Sequence, residues 1–446
     1  MATSAHLNSR AALARVLALG AVLATAAVSS LTGASAPPAG PPWLRGLDAD
    51  ELELVGYAGR VPDSKRPKLT AFFPRESYRP GSTARLVIAD TASSVSLQVF
   101  RSGGETAAPT RANDVLLGAP VTSPVRIGAV HGRRTVRVPL RSWPSGVYFV
   151  RLTAARGRIG YAPFVLRPRT LGEHDVAIVL PTQTWQAYNF RDDDGDGKPD
   201  SWYAQGNTAR LARPFLDRGV PPHFKYYDAP FLRWAESTGH AADYLSDGDL
   251  NATTGPALRR AYQLLVFEGH HEYVTTHEYD AVTRFRNRGG NLAFLSADNF
   301  FWKITKRGPV MTRVAKWRDL GRPEAALVGV QYYHNDMGEH RGAWIVQRGA
   351  SSVRWLFRGT RLTVGDRLSN GGIEADQATS ASPRGLRIVA KIPNLYRDGR
   401  DADMTYYETP AGAKVFAAGA FTLAGAVNQP DVRSLITNLW ERLERD

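Results

Sequence analysis

Residues 264–272 read Leu-Leu-Val-Phe-Glu-Gly-His-His-Glu, a short continuous apolar run that leads directly into titratable side chains. Val176 to Leu180 and Leu292 to Leu295 have the same apolar pattern, which is typical of strands buried on both faces of a parallel sheet. Between them, Thr276 to Arg288 has a helical pattern that ends at Gly289-Gly290. Buried strands that alternate with helices predict an α/β sheet.

The same alternation continues along the second part of the chain, and we predict one α/β domain over residues 171–446. Further strands are expected at 241–245 and 414–418, and further helices at 231–237, 256–262 and 432–443. Residues 330–395 are β-rich, and we expect them to form an insertion.

Polar and aromatic side chains are dense in the three loops that follow the predicted strands. These loops span residues 181–190, 268–273 and 296–302. Ligands of open α/β sheets bind at the carboxyl ends of the strands. We therefore expect a ligand site where the three loops meet.

Several common catalytic motifs are missing from the chain. It has no cysteine, which excludes disulfides, thiolate metal sites and cysteine nucleophiles. Gly-x-Ser-x-Gly is absent after residue 36, and there is no Walker loop and no glycine-rich turn after the first predicted strand. His271 and His277 lie six positions apart, which does not match the His-Glu-x-x-His spacing of zinc proteases.

The segment from Gly269 to Tyr273 is the strongest catalytic candidate among the loops. Two imidazoles and one carboxylate at a strand end can bind a metal or transfer protons. From residue types alone, a hydrogen-bonded loop cluster without catalytic function explains the segment equally well.

Residues 192–200, Asp-Asp-Asp-Gly-Asp-Gly-Lys-Pro-Asp, match the pattern of a calcium loop. Carboxylates stand at positions 1, 3, 5 and 9, and glycine at position 6 permits the sharp turn. Position 12 is Tyr203 and not the glutamate of an EF-hand. We predict an isolated Ca²⁺ loop, with a solvated acidic turn as the alternative; its ligands would be Asp192, Asp194, Asp196 and Asp200.

Residues 69–170 have the pattern of a β-sandwich. Val95 to Val99 and Thr135 to Val138 alternate with period two, and Val147 to Leu152 and Ala162 to Leu166 are short apolar runs. Several short strands at this spacing, separated by turn signals, predict an immunoglobulin-like β-sandwich.

Residues 1–36 have the pattern of a secretory signal peptide. Arg10 and Arg15 precede the apolar run from Val16 to Val28, and small residues follow at 34–36. The run is too short for a membrane-spanning helix, although an uncleaved anchor is the alternative. We predict a secreted, extracytoplasmic protein that has no membrane partner after cleavage. Residues 37–68, rich in proline, glycine and charge, are predicted to be a linker or extended arm.

The chain is basic, with 56 Lys and Arg against 42 Asp and Glu. The excess is +11 in residues 37–170 and +1 in residues 171–446. This distribution favours a solubilising surface, with attraction to anionic wall polymers or nucleic acid as the functional alternative. No nucleic-acid-binding motif accompanies the arginines, so we predict no nucleic-acid partner.

Several motifs in one order make residues 70–446 similar to the N,N-dimethylformamidase large (beta) subunit-like family. The resemblance implies an immunoglobulin-like or similar β-domain followed by a glutamine-amidotransferase-like, Rossmann-like α/β domain. It also implies hydrolysis of a small amide at a mononuclear iron held by two tyrosinates and one glutamate. The motifs are Ser145 to Tyr148, Gln186 to Asn189, His270 to Tyr273, Gly289 to Asn291 followed by Asn299 to Trp302, and Tyr407 to Gly412.

Matching positions carry the family's roles onto this chain. Phenolate and carboxylate oxygens are hard ligands that suit ferric iron, which can activate an amide without redox change. A histidine or glutamate beside the iron could act as general base. The resemblance implies Tyr148, Tyr188 and Glu272 as iron ligands, His270 and Glu408 as acid/base groups, and Asn299, or Asp298, as a contact to the amide.

The chain also departs from the family. His271 stands where the family often has proline, and the chain is much shorter than the characterised large subunit. The alternative function is a non-catalytic extracellular protein that binds glycans and keeps the calcium loop. The natural amide and a homo-oligomeric state are left open by the sequence.

Overall fold

The computed structural model describes residues 64–107, 112–201, 206–336 and 338–445. They belong to one compact unit with several sheets and helices, which confirms the expected combination of an α/β sheet with further β-structure. The immunoglobulin-like and glutamine-amidotransferase-like assignments stay predictions, as do the domain boundaries. The predicted signal peptide and residues 37–63 of the predicted linker lie outside the described residues.

Two sheets are built from the strands before residue 170. One is three-stranded in the order β1-β3-β7, and the other is six-stranded in the order β2-β9-β8-β4-β5 with β6 also paired to β4. The strands are β1 (Ala71–Phe72), β2 (Ser77–Tyr78), β3 (Thr83–Ala89), β4 (Ala92–Arg101), β5 (Ala119–Pro120), β6 (Val125–Val130), β7 (Arg133–Pro139), β8 (Gly146–Ala154) and β9 (Arg158–Leu166).

The six-stranded sheet is buried on both faces. Val150 and Phe164 pack with Leu86 of the three-stranded sheet in one core. The alternate residues, such as Phe149, pack instead with the α/β part of the molecule. Successive side chains of a strand point to opposite faces, so strands β4, β8 and β9 each contribute side chains to both cores.

The second part of the chain contributes fifteen strands among the described residues. They are β10 (Val176–Leu180), β11 (Thr208–Arg210), β12 (Asp243–Ser246), β13 (Leu264–Phe267), β14 (Tyr273–Thr275), β15 (Asn291–Phe294), β16 (Trp302–Arg307), β17 (Val310–Lys316), β18 (Gln331–Asn335), β19 (Arg341–Val346), β20 (Arg367–Gln377), β21 (Arg387–Ile392), β22 (Ala402–Glu408), β23 (Lys414–Ala417) and β24 (Ala420–Phe421).

The α-helices of the described residues are mostly short. The helix Thr276–Arg286 begins at a capping box formed by Thr275 and Glu278, as its sequence favours. No helix of the described residues is long and apolar enough to cross a membrane. The helices are α1 (Thr182–Ala187), α2 (Phe224–Tyr227), α3 (Ala229–Thr238), α4 (Asp247–Asn251), α5 (Gly255–Ala261), α6 (Thr276–Arg286), α7 (Ala325–Val328) and α8 (Pro430–Leu443).

The largest sheet has the order β12-β10-β13-β15-β23-β22-β21-β19-β20-β18, and β24 also pairs with β20. Its first five strands are parallel, which confirms the buried parallel strands predicted from the apolar runs. Strand β22 is antiparallel to β23, and the sheet continues through it to β18. The expectation of an insertion at 330–395 is therefore corrected, because strands β18 to β21 extend the same sheet.

Candidate metal centre

The loops after β10, β13 and β15 meet at one edge of the sheet, because these three strands are parallel neighbours. The backbone nitrogens of Phe300 and Trp302 donate to the carbonyl oxygens of His271 and Glu272 at 2.7 and 2.9 Å. The Glu272 nitrogen in turn donates to Thr184 Oγ1 at 3.3 Å. The loops are thus tied to one another by backbone atoms, which fixes the side chains they carry.

Five side chains form what we call the His270 centre: Tyr188, His270, Glu272, Asp298 and Glu374. One atom each of His270, Glu272 and Asp298 lies within 4.8 Å of the other two. Nε2 of His270 is 3.4 Å from Glu272 Oε2 and 3.3 Å from Glu374 Oε2. The Tyr188 hydroxyl donates to Glu272 Oε2 at 2.8 Å. The predicted Tyr188, His270 and Glu272 are thus brought together.

Tyr188 is held in place by polar residues of its own loop. It directly follows α1, and the side chains of Gln186 and Asn189 are hydrogen-bonded to each other at 3.0 Å. Arg213, which is buried, donates to the backbone oxygens of both. In this structure Gln186 and Asn189 therefore have a framework role, and Tyr188 is the member of the motif that faces the centre.

Asp298 reaches the centre through a strained backbone. Its φ is 52°, and that of Phe300 is 61°, in the left-handed region that residues other than glycine rarely adopt. The Asp298 nitrogen donates to Asp376 Oδ1 at 2.9 Å, and both residues are buried. Strain of this kind, about 1–3 kcal/mol per residue, persists where the surroundings enforce it and is often found at functional sites.

The carboxyl groups of the centre do not have ordinary acidities. Burial raises the pKa of Glu272 to about 7, although His270 opposes the shift. Burial also raises the pKa of Asp298 well above its usual value. For His270 burial lowers the pKa, but the carboxylates of Glu374, Asp298 and Glu272 outweigh it and raise the pKa well above the usual value. Three carboxyl groups around one imidazole thus resist ionising together unless a further positive charge is present.

The centre fits a bound cation. Nε2 of His270, Oδ1 of Asp298 and Oε2 of Glu374 are buried and have no hydrogen-bond partner among the described residues. Buried polar atoms are normally hydrogen-bonded, and here only the charge contact between His270 and Glu374 at 3.3 Å stands in for such bonds, so the arrangement needs an explanation. A cation would satisfy these atoms and offset the negative charge. Oxygen donors with one imidazole suit iron as well as other transition metals.

Tyr148 is not brought to this centre, which corrects its predicted position. Its hydroxyl donates to the Pro144 oxygen at 2.8 Å, and its ring stacks on Trp143 and Phe164 in the core between the two N-terminal sheets. Strand alternation gives the reason, because its neighbours Val147 and Phe149 face the α/β part while Tyr148 faces away. Burial raises its pKa to about 12, which does not favour a phenolate there.

Glu408 also lies away from the centre, which corrects its predicted position. It pairs with Lys414 in the β22–β23 ladder, and the Lys414 nitrogen donates to Asn291 Oδ1 at 2.8 Å. Asn291 begins β15, so Glu408 lies at the amino end of that strand, opposite the edge that carries the centre. Its side chain is 50% exposed and accepts a hydrogen bond from Tyr406 at 2.9 Å.

Glu374 takes a position at the centre that our sequence analysis missed. It lies on β20, where Asn335 donates to its Oε1 at 2.7 Å while Oε2 faces His270. The rest of this strand is also polar, with Arg367, Ser369, Asn370 and Gln377, so its sequence does not single out Glu374. Asn299 is buried next to Asp298, with its amide nitrogen donating to Ser296 O and its Oδ1 unpaired among the described residues.

A groove borders α1, and no residue of the His270 centre lines it. Phe73, Phe164, Trp185 and Phe215 provide its apolar lining. Gln183 and Thr184 of the same helix face Tyr273 and Glu272 instead. The groove therefore does not open onto the His270 centre.

The acidic loop at 192–200 brings three of its four predicted ligands together. Carboxylate oxygens of Asp192, Asp194 and Asp200 lie within 4.8 Å of one another. Asp196 Oδ1 accepts a hydrogen bond from the Lys198 nitrogen and is not part of this group. Calcium binding at this loop stays a prediction.

If the loop binds calcium, Asp194→Ala should lower the melting temperature by a few degrees in calcium and leave it unchanged in chelator. The physical reason is that a ligand bound only by the folded state stabilises that state. The stabilisation is about 2.7 kcal/mol when the free calcium concentration is a hundred times the dissociation constant. Thermal unfolding with calcium and with chelator measures this. Asp319→Ala, an exposed aspartate outside the loop, is the matched control. Identical parent melting curves in both buffers would contradict the calcium site.

The fold and the centre define a class: an α/β plus β protein with a buried group of histidine, carboxylates and tyrosine at the carboxyl ends of parallel strands. A family model described as N,N-dimethylformamidase beta subunit-like, C-terminal, matches residues 132–434. The chain belongs to this family, which confirms the resemblance inferred from the sequence motifs. No curated protein matches the chain.

Solved structures resemble only parts of the chain. Trypsin-activated alpha-2-macroglobulin from Escherichia coli is 17% identical over 27% of this chain, which spans 8% of that protein, with a TM-score of 0.19. The superoxide reductase neelaredoxin from Ignicoccus hospitalis is 14% identical over 23% of this chain and 79% of its own, with a TM-score of 0.14. TM-scores this low do not indicate a common overall fold.

Proposed function

We propose that the protein is a secreted, metal-dependent hydrolase of small amides that acts on a non-peptide C–N bond. The observation that carries the proposal is the convergence of His270, Glu272 and Asp298, whose ligand atoms lie within 4.8 Å of one another, with Tyr188 bonded to Glu272. Membership in the N,N-dimethylformamidase beta subunit-like family supports an amide as the substrate. The signal-peptide pattern of residues 1–36 supports secretion.

Glu272, Tyr188 and Asp298 are the side chains that would hold the metal, and ferric iron is the ion that the family favours. When bound, it would supply a Lewis acid that polarises the amide carbonyl without redox change. Only Tyr188 of the two tyrosines implied by the resemblance belongs to the centre. Asp298 therefore supplies the third oxygen in our proposal.

Proton transfer is assigned to Glu374 and His270. Glu374 Oε2 lies 3.3 Å from His270 Nε2, so a proton taken from water by the carboxylate can pass to the leaving amine through this pair. Asn335 fixes the other oxygen of Glu374, which keeps Oε2 directed at His270. The unpaired Asn299 Oδ1 offers an acceptor for an amide N–H.

Aromatic rings next to His270 favour a small substrate. The Phe421 ring lies edge-on to His270 at 4.8 Å, and Tyr227 stacks on Phe421 at 4.8 Å. Both residues are buried. An apolar wall this close to the proton-transfer pair suits a compact amide with small substituents better than a peptide chain.

The purified protein should contain about one iron per chain when iron is supplied during expression. Tyrosinate bound to ferric iron gives a visible charge-transfer band, so the protein should be coloured, and Tyr188→Phe should abolish the band. Tyr262→Phe is the matched control, because this buried tyrosine bonds to Asp243 outside the centre. Elemental analysis and an absorption spectrum test this. Zinc alone, or no metal, would contradict the iron proposal.

A further inference from the structure

The outer face of the β1-β3-β7 sheet carries three exposed arginines, which we call the arginine face: Arg85, Arg133 and Arg137. In the β3–β7 ladder Arg85 stands directly opposite Arg137, and Arg133 lies four residues further along β7. All three are exposed, and so are Thr83 and Thr135 on the same face. Val87, on the same face and opposite Thr135, is only 6% exposed, so the open part of the face is the part formed by these longer polar side chains.

The strands that carry the arginine face supply no compensating negative charge. Strands β1, β3 and β7 contain no aspartate or glutamate. Among the residues described, none of the three arginines forms an ion pair, and Arg133 lies over the Phe72 ring at 5.8 Å. Two further exposed arginines, Arg79 and Arg141, lie where the turn before β3 meets the end of β7. The positive charge thus extends along the strand direction.

Other arginines of the same sheets have structural partners. Arg158 pairs with Asp90 and donates to two backbone oxygens, and Arg134 donates to the carbonyls of Ile127 and Ala129. Arg101 pairs with Glu236. The arginine face lacks such partners, and like charges directly opposite each other on a sheet are destabilising. Its charge pattern therefore costs stability and gains no ion pair among the described residues.

We propose that the arginine face binds a linear acidic polysaccharide. The charges lie along one face of the three-stranded sheet, and Arg133 and Arg137 are about 13 Å apart at the usual rise per residue of a strand. An extended polymer with a negative group on each sugar can follow such a row, and guanidinium groups bind carboxylates in bidentate fashion. Single-stranded nucleic acid fits less well, because it needs free aromatic rings for base stacking, and Arg133 covers Phe72.

Binding of the full chain to sodium alginate, a linear polyuronate, tests the proposal at low and high salt. The parent should bind at low salt, and Arg85→Ser with Arg137→Ser should weaken binding about tenfold or more. Arg361→Ser with Arg384→Ser removes the same charge from exposed positions elsewhere and should bind like the parent. If both double variants lose alginate binding equally, the binding depends only on net charge, and the proposal is overturned.

A second variant separates binding from folding. Arg137→Glu replaces the repulsion with an opposite-charge pair to Arg85, so it should melt no lower than the parent and yet lose alginate binding. A lower melting temperature would show that Arg137 supports the fold and would overturn the proposal. Tighter binding of single-stranded DNA or of polyglutamate than of alginate, or no binding of alginate by the parent, would also overturn it. Amide hydrolysis is measured on the same samples and should be unchanged, so this outcome does not depend on the proposed function.

Discussion

Glu272→Ala is expected to lose the metal and the amide-hydrolysing activity together. Glu272 is 2% exposed and its carboxylate meets His270, Asp298 and Tyr188, so an alanine there removes the oxygen donor that the other groups surround. Removing a residue that only hydrogen-bonds to a metal ligand lowers metal affinity about 10–100-fold. Removing the ligand itself should lower metal affinity further. Metal content and hydrolysis of a small formamide are measured on the same preparation.

The control for this experiment is Glu408→Ala. Glu408 is an exposed carboxylate at the opposite edge of the sheet, so its loss should leave metal content and activity at the parent level. Circular dichroism and melting curves establish that both variants fold. A Glu272→Ala protein that keeps its iron would remove Glu272 from the ligand set, whereas one that keeps activity without metal would contradict metal dependence.

The part of the site that lies on strand ends could be predicted from sequence. Continuous apolar runs identified β10 and β13, and parallel strands bring their carboxyl ends to one edge whatever their order in the sheet. Tyr188 and Glu272 therefore met as expected, although they are 84 positions apart. The direction of the strands alone is enough to bring these two residues to the same edge of the sheet.

The part of the site that depends on strand order could not be predicted in this way. Tyr148 and Glu408 were assigned by matching motif positions, without knowledge of which face or edge they occupy. The alternation of β8 turns Tyr148 away, and the antiparallel direction of β22 takes Glu408 to the far edge. Glu374 was missed for the same reason, since β20 joins the sheet beyond three antiparallel strands and no local motif marks it.

The structure also shows how the centre keeps an unfavourable arrangement of charge. Asp298 adopts a strained backbone whose nitrogen is bonded to Asp376, and burial raises the pKa of Asp376 to about 8. Asp376 lies two residues from Glu374, so one strand supports Asp298 with one carboxyl group and faces His270 with the other. Because the two residues are spaced by two, Asp376 can support the backbone of Asp298 while Glu374 on the same strand faces His270.

Glu374→Gln should retain the metal and the fold but hydrolyse amides about 10²–10⁴-fold more slowly, the range expected for loss of a general acid or base. Glutamine can keep an oxygen as acceptor for Asn335, but the atom that faces His270 becomes an amide nitrogen that cannot take a proton. Among the carboxylates that raise the His270 pKa, Glu374 is the strongest, so the imidazole of the variant should titrate at lower pH. Rates, metal content and the His270 titration by NMR measure the three effects.

Glu408→Gln is the matched variant for the same experiment. It makes the same substitution at an exposed carboxylate on β22, an antiparallel strand of the same sheet. It should hydrolyse amides at the parent rate. The reverse result, a slow Glu408→Gln and a normal Glu374→Gln, would mean that the acid/base group is the one implied by motif position and not the one that faces His270. A Glu374→Gln protein that loses its iron would instead make Glu374 a ligand, since an amide nitrogen is a poor replacement for a carboxylate oxygen on a hard cation.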